Sequence, residues 1–183
     1  MIVVVPLLPG FEGDMTSSSS AVMRLQVRLM QDTISRGKDS LIEQLINKGV
    51  DNWYDFIGFY GLRNHDVLNG RPIENLIYVH SKLMIVDDKY VIMGSANIND
   101  RSMRGKRDSE IACLTEDTSL IESKMGGESY KAAKFAHDLR SRLFMEHLGS
   151  DEPLEVQDPA SEEFWAKWNE RAKTNSEFYH EVF

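Results

Sequence analysis

Residues 77–97 read IYVHSKLMIVDDKYVIMGSAN, and the rest of the chain is best understood from this stretch outward. Ile77 to Val86 and Tyr90 to Met93 are rich in β-branched and aromatic residues, and Asp87-Asp88-Lys89 between them has turn chemistry. The stretch therefore predicts a β-hairpin. Side chains alternate across a strand, which would put His80 and Lys82, two apart, on one side. Gly94 and Ser95 end the second predicted strand, where a tight turn can return Asn97 to that side. An imidazole, an ammonium and a carboxamide are expected to converge.

These groups suit a phosphodiester. Such a substrate is anionic, so a nucleophile must approach against negative charge. Lys82 supplies a compact cation and Asn97 two N–H donors, able to neutralise and orient the non-bridging oxygens as charge builds. His80 titrates near neutrality and can serve as a nucleophile on phosphorus or as the acid that protonates the leaving oxygen. A covalent phosphohistidine route needs a second imidazole on the opposite side of phosphorus. The other histidines, His65, His137, His147 and His180, form no second H-x-K. The chain carries half of such a site.

His80, Lys82, Asp87, Gly94, Ser95 and Asn97 stand at the spacing H-x-K-x4-D-x6-G-S-x-N, which resembles the HKD motif of the phospholipase D superfamily. The likeness extends to VVVPLLPGFEGD near the start, GLR at 61–63, and GSANINDRSM followed by GKRDSE through residue 110. Together these segments are similar to the C-terminal half of a eukaryotic phosphatidylcholine-hydrolysing phospholipase D. Six set residues over eighteen positions make a specific signal.

The resemblance implies an α/β fold, a phospholipase D-like half-domain with a mixed β-sheet flanked by helices, in which two halves pack about a pseudo-twofold and share one site. Residues 1–183 would be the second half. Further strand and helix are expected before Ile2, so the chain reads as lacking its N-terminal part. The implied mechanism makes a first-half histidine the nucleophile. His80 is then the acid for the leaving group and afterwards the base for water, while Lys82 and Asn97 bind phosphate. Ser95 supports the turn or donates to the phosphate, and Asp87 is more structural than catalytic. Glu110 resembles an acidic residue that hydrogen-bonds an active-site histidine, fixing its tautomer; which histidine it serves stays open.

Composition sets bounds on this reading. A chain of 183 residues with 42% hydrophobic and 27% charged content is long enough for one domain with a core. A net charge of −8 argues against nucleic-acid binding, which wants a basic face. Cys113 is the lone cysteine, which suits a reducing compartment; in the apolar run IACL it is expected to be a buried strand residue. No segment approaches the roughly 18–20 apolar residues of a membrane span, so a cytoplasmic protein in peripheral contact with a membrane is expected. Around the motif no histidine or carboxylate pair stands at ligand spacing, and Lys82 fills a cation's role, so no metal or other cofactor is expected.

Elsewhere the chain alternates strand and helix signals, which argues for an α/β layered domain. Ile2 to Val5 reads as a buried central strand, and Pro9-Gly10 opens a polar loop through Ser17–Ser20. A helix is predicted from Ala21 to Arg36 with Met23, Val27, Met30 and Ile34 on one face, and a second follows the capping box Ser40/Glu43. Trp53 to Tyr60 reads as an aromatic strand and Gly61 to Glu74 as a polar loop. Arg101, Arg104, Lys106 and Arg107 place a positive field beside the expected phosphate site. A strand from Glu110, a helix from Tyr130 to Leu148 and another after Asp158-Pro159 complete the chain. The expected partners are a phospholipid at a membrane surface and the missing N-terminal half. Two rival readings remain: a homodimeric, single-motif phosphodiesterase or nuclease built from two copies of His80, and a fragment that binds phosphate without turnover.

Overall fold

A computed structural model describes residues 1–10, 17 and 20–183. The chain divides into two compact units, Met1–His80 with Phe183, and Ser81–Val182. Helix accounts for 39% and strand for 26% of the chain, in keeping with an α/β phospholipase D-like module. Its strands pair in both senses, distributed over four small sheets among the described residues.

In the first unit β1 (Ile2–Val4) runs parallel to β2 (Gly58–Tyr60). Its three side chains are only half-buried, and within the described residues it has one strand neighbour, where a central strand was expected. Helix α1 (Ala21–Ile34) turns Met23 inward and half-buries Val27, Met30 and Ile34, as their spacing requires. Helix α2 (Leu41–Asn47) starts where the buried Ser40 hydroxyl accepts from the Glu43 amide at 3.3 Å. The loop expected between Pro9-Gly10 and Ser20 falls largely outside the described residues.

Two readings of this unit are corrected. Trp53–Asp55 forms a 3-10 turn, with Asn52 bonded to Asp55 at 2.9 Å, so the aromatic stretch becomes strand only at Gly58. Residues 62–77 are a hairpin, β3 (Leu62–Leu68) against β4 (Arg71–Ile77), in place of the expected polar loop. Asn69 and Gly70 both adopt left-handed φ, 52° and 76°, the turn that matches strand twist. Arg63 pairs with Glu74 across it. Pro6, Leu7, Pro9, Met23, Leu76 and Tyr78 are among the residues that line an apolar cavity of about 150 Å³.

The second unit holds an antiparallel sheet of β5 (Leu83–Val86), β6 (Tyr90–Gly94) and β7 (Ala112–Glu116). A separate hairpin joins β8 (Leu120–Met125) and β9 (Glu128–Ala133) through Gly126-Gly127. The helix expected from Tyr130 starts later, because residues 130–133 complete β9; α4 spans Lys134–Leu148 and ends at Gly149 with φ 62°. Val91, Ala133 and Ala136 form a fully buried nucleus, with Leu83, Ile85 and Leu139 packed against it. Helix α5 (Glu162–Val182) is joined to α4 by an aromatic cluster in which Phe144 lies 5.4 Å from Phe164 and 4.8 Å from Trp168. Cys113 is exposed on β7, contrary to expectation, because β7 is the outer strand of its sheet.

Asp158 staples the β8–β9 turn, accepting from the amides of Gly126 and Gly127 at 2.7 Å each. Burial works against its charge, yet the N–H groups of Gly127, Gly126 and Ala160 together outweigh burial and hold the carboxyl below its usual range. A folded-state pKa below the unfolded value means stability that is present above about pH 4 and lost as pH falls through the folded value. Asp158→Asn is therefore expected to lower the urea midpoint at pH 7 and to converge with wild type on acidification. Parallel midpoint curves from pH 7 to the acid limit would refute this.

Candidate functional site

The β5–β6 hairpin sets the geometry. Lys82 immediately precedes β5, and its carbonyl accepts from the Gly94 amide at 3.1 Å. Lys82, Gly94 and Ser95 consequently share the open end of the hairpin. Gly94 is required there by close approach: a Cβ would lie 2.4 Å from the Ile111 carbonyl oxygen and 2.7 Å from the Ala112 Cβ. That contact is what brings the strand entry at Glu110-Ile111 over Ser95.

Ser95 is held on both its main chain and its side chain. Its amide donates to the Ile111 carbonyl at 2.9 Å, and the Ile111 amide donates to its hydroxyl oxygen at 3.0 Å. The hydroxyl in turn donates to Glu110 Oε2 at 2.5 Å. The Asn97 amide donates to Ser102 Oγ at 3.1 Å, and the Ser102 amide donates to Asn99 Oδ1 at 3.0 Å, capping the short helix α3 (Asp100–Met103). Hydrogen bonds from Ser102 first and Ser95 second hold the Glu110 carboxyl below its usual range, with a smaller contribution from the Lys82 charge; burial and Asp108 oppose them. Lys82, Ser95, Asn97 and Glu110 thus belong to one connected region.

The basic run beside it is partly neutralised. Arg101 chelates Asp108, with Nε to Oδ2 at 3.0 Å and Nη2 to Oδ1 at 3.1 Å, and Arg104 lies 3.5 Å from Asp100. Lys106 and Arg107 are exposed. Among the described residues no three His, Cys, Asp or Glu side chains gather as a metal ion would require.

His80 and Lys82 do not lie in a strand. β4 ends at Ile77 and β5 begins at Leu83, so residues 78–82 are irregular and strand alternation does not set where either side chain points. His80 is exposed, and its ring stacks on Tyr78 with centroids 6.2 Å apart at 30°. Tyr78 also borders the apolar cavity of the first unit.

Asp87 stands apart. It is exposed in the hairpin turn with φ 51°, at the end opposite Lys82, and its carbonyl accepts from the Tyr130 hydroxyl at 2.6 Å. Five residue steps at about 3.3 Å each put it roughly 16 Å along the chain from Lys82. Its neighbour Asp88 is buried, forming an ion pair with Arg140, Nε to Oδ1 at 3.0 Å. Reading the sequence alone missed Ser102 and Asp88. Asn99-x-x-Ser102 does carry the spacing of a helix cap, but nothing local links Asp88 to a residue 52 positions away.

A family model described as Phospholipase D matches residues 60–183. Phospholipase D1 of Mus musculus is 46% identical over 184 residues, covering 99% of this chain and 17% of that protein. Phospholipase D zeta 1 of Arabidopsis thaliana is 45% identical over 188 residues, covering 100% of this chain and 17% of that protein. A phospholipase D of Phytophthora infestans is 44% identical over 184 residues, covering 99% of this chain and 10% of that protein. The chain spans about a sixth or less of the length of these relatives. With a family match over most of its length and such identity from end to end, the chain belongs to the phospholipase D family.

Proposed function

We propose that residues 1–183 act as one half of a phospholipase D site that hydrolyses phosphatidylcholine to phosphatidic acid and choline. What carries this reading is the cluster at the hairpin's open end, where Lys82 offers a cation and the Asn97 carboxamide offers N–H donors, on a turn tied down by the Ser95 hydroxyl's bond to Glu110 and the Asn97 amide's bond to Ser102. Such a set favours a tetrahedral oxyanion over a neutral substrate. The names of the relatives support a phospholipid substrate, and the location proposed with it is cytoplasmic, in peripheral contact with a membrane. Among the described residues no helix is long and apolar enough to cross one.

In the proposed reaction a histidine from the other half attacks phosphorus, forming an N–P bond as the P–O bond to choline breaks. His80 gives the leaving oxygen its proton. It then takes a proton from water, which attacks phosphorus, releases phosphatidic acid and frees the partner histidine. Lys82 and Asn97 hold the phosphate oxygens, and Ser95 supports the turn between them. Glu110 remains the candidate for orienting an active-site histidine, and Asp87 shapes the hairpin turn. The single H-x-K favours one second reading, a homodimer in which two copies of His80 face each other.

A covalent intermediate can be intercepted by a small alcohol. The chain co-expressed with a matching N-terminal half is expected to convert phosphatidylcholine to phosphatidic acid, and to the phosphatidyl-alcohol when primary alcohol is added. The chain alone is expected to show no turnover. Steady turnover by a monomer would refute the half-site reading, and activity that rises with dimer concentration in light scattering would establish the homodimer instead.

A further inference from the structure

We propose that Ser102 is a positioning residue of this site: its hydroxyl oxygen accepts from the Asn97 amide and so holds the Asn97 carboxamide for a phosphate oxygen. The inference rests on the phosphate-binding reading above. A hydroxyl has one proton to donate and two lone pairs to accept with. Ser102 uses its accepting function on the Asn97 amide, at 3.1 Å, and hydrogen bonding from its hydroxyl is the largest influence holding the Glu110 carboxyl below its usual range. The same carboxylate accepts from Ser95 at 2.5 Å. The two ends of the Ser95-Ala96-Asn97 turn are therefore each held by a side chain, the Ser95 end by Glu110 and the Asn97 end by Ser102.

The mounting of Ser102 suits this duty. Helix α3 is only four residues long and cannot persist on its own propensity. It is anchored instead by the Asn99 cap at its start and by Arg101 on Asp108, two residues before Glu110. The loop from Asn99 to Glu110 thus closes on itself, with the Ser102 hydroxyl directed at the turn that carries Asn97. Asn97 is exposed, so packing does little to set its direction and hydrogen bonding must. Displacing a group that orients substrate by about 1 Å can cost up to 10²-fold. The charged groups acting on Glu110 are Lys82, which favours its ionised form, and Asp108, which opposes it.

The test uses the 183-residue chain with inorganic phosphate as the probe, following the Asn97 side-chain amide by NMR. Ser102→Ala is expected to weaken phosphate binding by roughly tenfold and to shift the Asn97 side-chain amide signal. Ser102→Thr, which keeps the hydroxyl, is expected to restore both. Wild-type phosphate affinity in Ser102→Ala would overturn the proposal. So would weakened binding with an unmoved Asn97 side-chain signal, or an Asn97 signal that ignores phosphate in the wild-type chain. Wild-type chain assembled with the N-terminal half is assayed on phosphatidylcholine in parallel. Phosphate binding that depends on Ser102 without any hydrolysis would leave the positioning role standing and remove the phospholipase reading.

Discussion

Replacing His80 by alanine in the assembled two-histidine enzyme is expected to abolish phosphatidylcholine turnover while leaving the chain folded. His80 is exposed in the irregular segment before β5, and the ring contact it loses is an offset stack on Tyr78. Surface changes of this kind usually stay within about 0.5 kcal/mol of wild type. The catalytic loss is of another order. A positioned general acid is worth roughly 10²–10⁴-fold, and the same imidazole is needed again as the base for water. Its removal therefore slows both formation and breakdown of the covalent intermediate. Turnover and the thermal midpoint measured on the same preparation separate the two effects. Near-normal turnover would show that His80 has neither role.

Asp88→Asn is expected to destabilise the second unit by about 3–5 kcal/mol. Asp88 and Arg140 are each at least 95% buried, with relative exposures of 3% and 4%. Both guanidinium contacts to the carboxylate are short, at 3.0 and 2.5 Å, and Arg140 also donates to the Val156 carbonyl and lies over the Phe144 ring. The pair links the β5–β6 turn to α4, and the Asp88 carbonyl accepts from the Ala133 amide at 2.8 Å in the same place. Neutralising Asp88 leaves a buried cation without its counter-charge, which is far costlier than the net worth of the intact pair. Asparagine is the informative substitution because Asp88 has φ 49°, a left-handed conformation that asparagine tolerates and alanine does not. Chemical denaturation supplies the check. Adding Arg140→Met is expected to recover more than half of the loss, since it removes the stranded charge. A midpoint for Asp88→Asn within about 1 kcal/mol of wild type would mean that water or another group already compensates Arg140.

What was legible in the residues was what short-range physics decides. The β5–β6 hairpin follows from two β-branched runs around Asp87-Asp88-Lys89, and its turn closes with the Lys89 amide on the Val86 carbonyl at 2.9 Å. The starts of α1 and α2 and the end of α4 follow from an apolar stripe, the Ser40 cap and Gly149. The motif that marks the family is likewise contiguous.

The failures have a common cause. β3–β4 is exposed along most of its length, so it shows no clean inside–outside alternation, and Pro72 sits in a strand that only a sheet edge can accept. Cys113 looked buried because its neighbours are apolar, but burial depends on what covers the outer strand of a sheet, and the strand's own residues do not record that. The candidate site divides along the same line. Residue types and spacing single out His80, Lys82, Ser95 and Asn97. Only the folded chain joins Ser95 to Glu110 across 15 residues, sets the Ser102 hydroxyl on the Asn97 amide, and sets Asp88 on Arg140 across 52 residues. Propensities and turns act over a few neighbouring residues and so can be read from them. Hydrogen bonds and ion pairs between distant segments exist only once packing has brought those segments within about 3 Å of each other.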